Sequence, residues 1–333
     1  MRQNQAPAVL AILGTTIFWG LSFSSTKVLL NDLVPEQIAF FRLVLAVLAL
    51  GLVFWATRQK TVAKSDLWRM AAGGAAGVFL YFLFENNGLR FTTAGTASLI
   101  VSITPALNAV AGALFFKEHH PLSRWFGVLL SIFGVYMIIN SGSAGSLALA
   151  NLGGNLLIFL AGCTWVAYTR INVPLLQKYN SLTVNFFQSL AGMILLGSLA
   201  LPRGLDISTF TPTVAMNLAY LGLFCSAAAY FLYLYALKNL GSTTATTFLN
   251  LVPVFGVLGG ALLLKETLSG GQLIGAAIVV LGVTLVTSAY NRSEVTENSP
   301  LSPSSSRRNS GNPLPVLDEM ETRLPFDEKK WFQ

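Results

Sequence analysis

Ten stretches of about 20 predominantly apolar residues constrain the fold of this chain more than any other feature. A helix needs roughly this length to cross a hydrocarbon layer of about 30 Å. The predicted spans are residues 8–30, 35–56, 68–89, 93–116, 122–140, 152–173, 181–201, 213–237, 242–264 and 270–289. Because lipid cannot satisfy exposed backbone groups, the expected class is an all-α integral membrane protein with ten transmembrane helices.

Composition excludes several other classes of protein. Only 11% of the 333 residues are charged, against about 25% in soluble domains, which excludes a soluble enzyme. Cys163 and Cys225 lie in apolar runs, and His119 and His120 are adjacent in one loop. This pattern offers neither a disulfide framework nor a metal cage. The sequence also lacks a nucleophile elbow, an HExxH motif and a Walker loop. We therefore predict no enzymatic activity, no cofactor and no metal, and we read the net charge of +7 as a loop bias that does not indicate nucleic-acid binding.

The chain reads as two copies of one unit. At a shift of 148 residues the coincident positions are Pro105 and Pro253, Lys117-Glu118 and Lys265-Glu266, Gly127 and Gly275, and Gly134 and Gly282. At a shift of 146 they are Trp19 and Trp165, and Phe40-Phe41 and Phe186-Phe187. The predicted repeats are residues 1–146 and 147–290. Five spans is an odd number, so the second repeat is inverted, a plan typical of secondary transporters with a site at the bilayer midplane.

The distribution of Lys and Arg predicts the orientation. With a cytoplasmic N-terminus, the inner side carries nine Lys and Arg and the outer loops carry three, or four with Lys27. This bias places both termini in the cytoplasm. Residues 291–333 are rich in Ser, Pro and charge, and we expect a disordered cytoplasmic tail because such a segment buries little apolar surface.

Aromatic residues near the middle of the spans are candidate cavity walls. Trp19 and Trp165 lie about eleven and thirteen residues into their spans, far from the interfaces where Trp usually sits. Each is either ordinary packing or part of a substrate cavity, and their repeat-equivalent positions favour the cavity. Tyr168, one turn after Trp165, adds a hydroxyl that can bond a ligand.

Two prolines predict helix kinks at mid-membrane. Pro105 and Pro253 each remove a helix hydrogen bond and clash with the preceding turn. Ser102 and Asn250 each lie three residues before a proline. They either satisfy the freed backbone groups, as a membrane interior requires, or line the pathway.

Charges inside the spans are costly and usually face a partner or water. Arg42 and Glu85 lie at similar depths below the same face, so they either form a structural ion pair or share one vestibule. Arg42 can attract a carboxylate, and Glu85 an ammonium group or a proton. Asn86 extends the polar patch. The repeat partners of Arg42 and Glu85 are Gln188 and Tyr233, so these charges break the symmetry.

Three other charged positions are expected to play structural roles. Arg170 is predicted to reach the lipid headgroups as an anchor. Glu118 and Glu266 are predicted to be cap or turn partners for their neighbours Lys117 and Lys265.

The chain resembles the EamA-type exporters of the drug/metabolite transporter superfamily. The matching residues are Trp19-Gly20, Phe41-Arg42, the stretch FENNGLRFTTAGTASLIVSITP at 84–105, and Lys117-Glu118 and Gly127 with their second-copy counterparts. The resemblance covers about residues 8–289. It implies a multi-pass carrier of the bacterial inner membrane that works by alternating access and exports amino acids or other small metabolites, either as a facilitator or coupled to protons.

The predicted function is therefore a secondary transporter that exports small amphipathic metabolites, with Trp19, Arg42, Glu85, Trp165 and Tyr168 around its substrate. Two alternatives remain. One is a carrier of the same superfamily for another cargo, such as a sugar derivative or a vitamin. The other is a membrane scaffold or receptor that acts through residues 291–333.

Overall fold

A computed structural model describes residues 5–116, 121–141, 149–204, 209–241, 245–246 and 248–297. Within these residues the regular structure is helical and contains no strand. The α-helices are α1 (Ala6–Leu29), α2 (Pro35–Ala56), α3 (Leu67–Gly74), α4 (Tyr81–Leu89), α5 (Ala94–Val101), α6 (Thr104–Phe116), α7 (Leu122–Asn140), α8 (Leu149–Lys178), α9 (Ser181–Ala200), α10 (Pro212–Ala219), α11 (Ala229–Leu240), α12 (Val252–Leu264) and α13 (Gly270–Glu297).

Seven helical segments of the described chain are long and apolar enough to cross a membrane. They are Ala6–Leu29, Pro35–Ala56, Lys64–Leu89, Ala94–Phe115, Leu152–Lys178, Ser181–Arg203 and Pro212–Leu240. Three shorter apolar helices are Trp125–Ile138, Leu249–Leu264 and Gly270–Leu285. The membrane class predicted from the sequence is consistent with these helices, which fall on the ten predicted spans.

Residues 1–290 form one compact unit, and residues 291–333 are assigned to a second. The helix α13 ends at Glu297, eight residues beyond the predicted end of the tenth span. Residues 298–333 lie outside the described part of the chain, and so do Lys117, Glu118, His119 and His120. The disordered tail stays a prediction.

The surface of the first unit exposes many large apolar side chains, and its mostly apolar interior also encloses charged ones, which is unusual for a water-soluble protein. Leu52, Leu122 and Leu262 are 74%, 84% and 78% exposed. By contrast, Arg42 and Glu85 are 2% and 4% exposed. Lipid accommodates exposed leucines and penalises exposed charges by at least a few kcal/mol, so this distribution suits a bilayer.

Polar caps and a proline fix where several helices begin. The hydroxyl of Thr93 accepts a hydrogen bond from the N–H of Thr96 at 3.0 Å, at the start of α5. The side-chain oxygen of Asn180 accepts one from the N–H of Thr183 at 2.8 Å, at the start of α9. Pro35 opens α2, where a missing N–H leaves no bond unmade.

Two predicted spans are interrupted beside their central prolines. In the fourth span α5 ends at Val101 and α6 begins at Thr104, with Pro105 in its first turn. In the ninth span a short 3-10 turn, Leu249–Leu251, precedes α12, and Pro253 lies in the first turn of that helix. The sequence predicted kinks at these prolines. The chain instead restarts a helix just before each one, because the first turn is where proline is tolerated best.

Two other spans each contain a π-helical stretch. The first, Ala75–Leu80, joins α3 to α4, and the second, Tyr220–Ala228, joins α10 to α11. Shifted by 148 residues, the first stretch falls within the second. Such stretches often occur at functional sites, because they widen a helix locally.

Glycines allow several helices to approach at backbone distance, as is usual in membranes. Between α7 and α13, a Cβ at Gly134 would lie 2.7 Å from the carbonyl oxygen of Gly275. A Cβ at Gly282 would lie 2.7 Å from the carbonyl oxygen of Gly127. The two helices therefore contact each other at two levels, with their residues running in opposite directions.

In a second pair of close approaches, one glycine lies against the backbone of α9 and another lies against the backbone of α2. A Cβ at Gly74 would lie 2.5 Å from the carbonyl oxygen of Gln188 on α9. A Cβ at Gly222 would lie 2.8 Å from the carbonyl oxygen of Arg42 on α2. Replacing either glycine would therefore force two backbones apart.

Candidate functional site

A cavity of about 40 Å³ lies among the helices. Its wall is formed by side chains from α1, α2, α4, α8 and α11 and by both interrupted segments, near residues 101–105 and 249–252. The sequence-predicted residues that line it are Trp19, Arg42, Glu85, Ser102, Pro105, Trp165 and Asn250. A dry protein cavity that binds benzene measures about 150 Å³, so this cavity is too small to enclose a molecule of that size in the conformation described.

An aromatic cluster forms one side of the cavity. The rings of Trp19 and Trp165 meet edge to face, with centroids 4.9 Å apart. Tyr230 lies 5.4 Å from Trp19, and Tyr81 lies 5.3 Å from Trp165. The two tryptophans that the repeat relates are thus in direct contact, and together they offer an aromatic surface to a ligand.

Arg42 is the most deeply buried cation of this wall. Its Nε donates to the hydroxyl of Ser226 at 3.0 Å, and its guanidinium carbon lies 4.0 Å from the centre of the Phe82 ring. Its Nη1 is buried and has no hydrogen-bond partner among the described residues. A cation held by one hydroxyl and one ring keeps capacity for a carboxylate, which guanidinium groups bind through two parallel bonds.

Glu85 lines the same cavity but does not pair with Arg42. The described residues form no ion pair within 4.0 Å between these two side chains. Glu85 Oε1 accepts a hydrogen bond from the hydroxyl of Tyr81 at 3.0 Å, one turn earlier on α4. Of the two alternatives that the sequence left open, this geometry favours the shared cavity over the structural ion pair.

The polar residues of the interrupted segments divide between the two predicted roles. Ser102 donates its hydroxyl to the carbonyl oxygen of Leu99 at 2.6 Å, which satisfies a backbone group beside the break. Asn250 keeps a buried Oδ1 without a partner among the described residues. Both side chains line the cavity.

Two predicted site residues lie away from the cavity wall. Tyr168 is fully buried, and its ring packs against Trp165 with centroids 4.8 Å apart. Asn86 donates from Nδ2 to the carbonyl oxygen of Pro35 at 3.1 Å and so ties α4 to the start of α2. Tyr168 supports the aromatic cluster from behind, and Asn86 joins two helices.

The structure adds residues that the sequence reasoning missed. Tyr81, Phe82 and Tyr230 line the cavity, and Ser226 holds Arg42. Tyr81 was within reach of the sequence argument, because it precedes Glu85 by one helical turn and so shares its face. Ser226 and Tyr230 come from the second half of the chain, and their contact with Arg42 and Trp19 depends on packing between distant segments.

Two structural roles predicted from the sequence are wrong. Arg170 was expected to anchor in the headgroups, yet its Nε donates to Asn108 Oδ1 at 2.9 Å on α6. Glu266 was expected to partner Lys265, yet its carboxylate accepts hydrogen bonds from the N–H groups of Ala94 and Gly95. In both cases a nearer unsatisfied group inside the bundle competes with the expected partner.

No group of three or more His, Cys, Asp or Glu in the described part of the chain is placed to hold a metal.

At the other end of the span that carries Glu85, two loops are joined by a polar contact. The hydroxyl of Tyr179 donates to Asp66 Oδ2 at 2.8 Å, and Lys178 Nζ lies 3.7 Å from Asp66 Oδ1. Partial burial and the neighbouring Asp66 carboxylate raise the pKa of the Tyr179 phenol. The phenol therefore stays protonated and keeps donating at neutral pH.

Comparison with known proteins gives one family and several full-length relatives. The model described as the EamA-like transporter family matches residues 6–140 and again residues 152–288. An "Uncharacterized transporter" of Archaeoglobus fulgidus is 31% identical over 84% of this chain and 96% of its own length. A "Probable amino-acid metabolite efflux pump" of Escherichia coli is 29% identical over 84% of this chain and 94% of its own length.

One solved structure shares the fold. A chain titled "Crystal structure of protein" superposes with a TM-score of 0.62 and 19% sequence identity, and the match covers 87% of this chain and 99% of that one. At this identity the likeness concerns the fold alone.

Proposed function

The chain belongs to the EamA-like transporter family, and from that premise we propose that it is a secondary carrier that exports amino acids or related amphipathic metabolites. The observation that carries the proposal is the cavity itself. It places a buried guanidinium with an unpartnered N–H and a separate carboxylate beside an aromatic cluster. The name of the Escherichia coli relative supports the same class of cargo.

These groups match the parts of an amino acid. A carboxylate placed against Arg42 Nη1 would satisfy the open N–H, and an ammonium group would lie toward Glu85. A side chain of the cargo would pack on Trp19 and Trp165. A proton on Glu85 is the alternative occupant of that position, which makes Glu85 our candidate for coupling to a pH gradient.

We propose ten spans arranged as two inverted five-helix repeats, residues 1–146 and 147–290. The double match of the family model supports the duplication. The glycine contacts support the inversion. The sequence relates Gly127 to Gly275 and Gly134 to Gly282, and the contacts join Gly134 to Gly275 and Gly127 to Gly282. Crossed pairs of this kind are what a twofold axis produces at an interface.

The glycines that approach α2 and α9 support the same arrangement. Gly74 and Gly222 are equivalent at a shift of 148, and Arg42 and Gln188 are equivalent at 146. Gly74 approaches Gln188, and Gly222 approaches Arg42, so this pair is crossed as well. An inverted repeat has nearly equal shapes open to either face, which suits alternating access.

We propose that both termini face the cytoplasm of a bacterial cell and that the protein resides in its inner membrane. The excess of Lys and Arg on that side supports this orientation. The segments that carry Lys64 and Lys178 are joined through Asp66, which supports a common side of the membrane for both.

In this mechanism the small cavity has to expand before cargo enters. The two interrupted segments are the natural points of movement, because neither has a continuous ladder of helix hydrogen bonds. The test is uptake of labelled neutral amino acids into proteoliposomes that contain the purified protein, with and without a pH gradient. Uptake that is saturable and exchanges with internal amino acid is expected. Empty liposomes are the control, and uptake equal to theirs for all amino acids tested would refute the proposed cargo.

A further inference from the structure

Glu266 joins the two halves of the chain at one end of the bundle. The helix α12 ends at Leu264, and Lys265 then adopts a left-handed conformation with φ of 55°. The N–H of Glu266 returns to the carbonyl oxygen of Gly260 at 3.0 Å, which closes the last turn of α12. This turn directs the chain after α12 toward the start of α5.

Both carboxylate oxygens of Glu266 accept hydrogen bonds from the first turn of α5. Oε1 accepts from the N–H of Ala94 at 2.9 Å, and Oε2 accepts from the N–H of Gly95 at 3.0 Å. These N–H groups have no partner within their own helix, and a negative charge is stabilised at a helix N-terminus. A Cβ at Gly260 would lie 2.6 Å from Oε2, so a side chain at residue 260 would displace the carboxylate from this position.

Lys27 provides the opposite charge at the neighbouring helix end. Its Nζ donates to the carbonyl oxygens of Leu89, at 2.5 Å, and Thr92, at 2.7 Å. The loop between α4 and α5 is therefore held by a cation where one helix ends and by an anion where the next begins, the favourable arrangement for both dipoles. A further bond runs from Gln272 Nε2 on α13 to Thr96 Oγ1 on α5 at 2.9 Å.

These contacts act on helices that form the cavity wall. Val101 and Ser102, at the far end of α5, line the cavity. At about 1.5 Å per residue they lie roughly 10 Å from the Glu266 contact. Lys27 lies one turn beyond Phe23, which also lines the cavity. Moving α5 away from Glu266 would therefore move one wall of the cavity.

We propose that the carboxylate of Glu266 is the latch that closes the outer end of the carrier. While both hydrogen bonds to α5 are made, the second half of the chain covers the cavity from outside. They have to break before the cavity opens outward. The assignment of this end to the outside rests on the proposed function and orientation.

The experiment measures access to the cavity from outside. Cys163 and Cys225 are replaced by Ala, and Ser22→Cys places a thiol at the cavity wall. A membrane-impermeant maleimide is then added to intact cells. Glu266→Gln keeps the size of the side chain but removes its charge and one acceptor oxygen. Labelling from outside is expected to rise about fivefold or more, the shift that corresponds to losing about 1 kcal/mol of closed-state stabilisation.

Two further variants keep the result interpretable. Gly260→Ala leaves the charge in place and displaces the carboxylate, so it should raise labelling in the same direction. Glu36→Gln is the matched control, because Glu36 pairs with Arg203 at 3.9 Å at the same end and does not contact α5. Its labelling should equal that of the parent.

Each outcome decides between the latch and the proposed function. Unchanged labelling in both Glu266→Gln and Gly260→Ala overturns the latch, even if the protein transports amino acids. Increased labelling in cells, by a protein that transports no amino acid in proteoliposomes, keeps the latch and overturns the cargo. An increase found only when the reagent reaches the cytoplasmic face overturns the outer assignment.

Discussion

Arg42 and Gln188 occupy equivalent places in the two halves of the chain, yet they carry different chemistry. The carbonyl oxygen of each faces a glycine of the other half, Gly222 or Gly74. Arg42 turns its guanidinium to the cavity, with one N–H unpartnered. Gln188 instead donates from Nε2 to Asn172 Oδ1 at 2.9 Å, within its own half.

Glu85 and Tyr233 show the same contrast. Glu85 lines the cavity, whereas the hydroxyl of Tyr233 shares a hydrogen bond at 2.9 Å with Thr169 of its own half. The backbone contacts repeat between the halves, but the charges do not. Under the proposed function, the repeated backbone would serve alternation and one wall would serve recognition, and the predictions below test that division.

The largest effect is expected from Arg42→Gln. This change removes the open N–H that we assign to the cargo carboxylate, and losing one partner of a buried charged contact costs about 2–5 kcal/mol. Transport of amino acids into proteoliposomes should fall about 100-fold or more. Arg203→Gln, at an exposed ion pair, is the matched control and should transport at the parental rate. If Arg42→Gln transported amino acids at the parental rate, Arg42 would have no part in recognising the cargo.

Glu85→Gln should have the next largest effect. The amide keeps the hydrogen bond from Tyr81 but carries no charge and takes up no proton. We expect transport to fall about tenfold and an imposed pH gradient to lose its influence on the rate. Glu36→Gln serves as the control. If the variant responds to the gradient as the parent does, Glu85 has no part in coupling.

The equivalent glycines offer a direct test of backbone symmetry. In Gly222→Ala the new Cβ would meet Arg42 O at 2.8 Å, and in Gly74→Ala it would meet Gln188 O at 2.5 Å. Each change should destabilise the protein by about 1–3 kcal/mol, as overpacking does. Thermal unfolding in detergent measures both. Loss of stability in only one of the two variants would show that the halves pack differently.

A small gain is expected from Lys265→Gly. Lys265 adopts a left-handed conformation, which costs a residue with a Cβ about 1 kcal/mol and costs glycine almost nothing. The variant should raise the Tm by about 2 °C. Thermal unfolding of Glu36→Gln provides a baseline for a substitution at the same end. A lower Tm for Lys265→Gly would mean that the lysine side chain stabilises this turn.

Much of the fold could be predicted from the sequence because lipid imposes a simple rule on helix length. The apolar runs gave the bounds of α2, α7 and α9 to within a few residues. The prolines marked both interrupted segments. The apolar runs do not indicate how a helix accommodates a proline. A kink and the start of a new helix both avoid the hydrogen bond that proline cannot make.

The site was partly predictable for a similar reason. Arg42, Glu85 and the two tryptophans were found because charges and mid-membrane Trp are unusual inside lipid. Tyr168 lies behind Trp165 and does not line the cavity, and the spacing of one turn could not distinguish a residue of the wall from one that packs behind it. The partners of Arg170 and Glu266 lie 62 and about 172 residues away in sequence, and no local pattern indicates contacts over such distances.

The small size of the central cavity limits what this conformation can hold. A space of about 40 Å³ holds one or two water molecules, too few for a continuous column of water across some 30 Å of hydrocarbon. A molecule as large as an amino acid would have to separate the surrounding helices to enter.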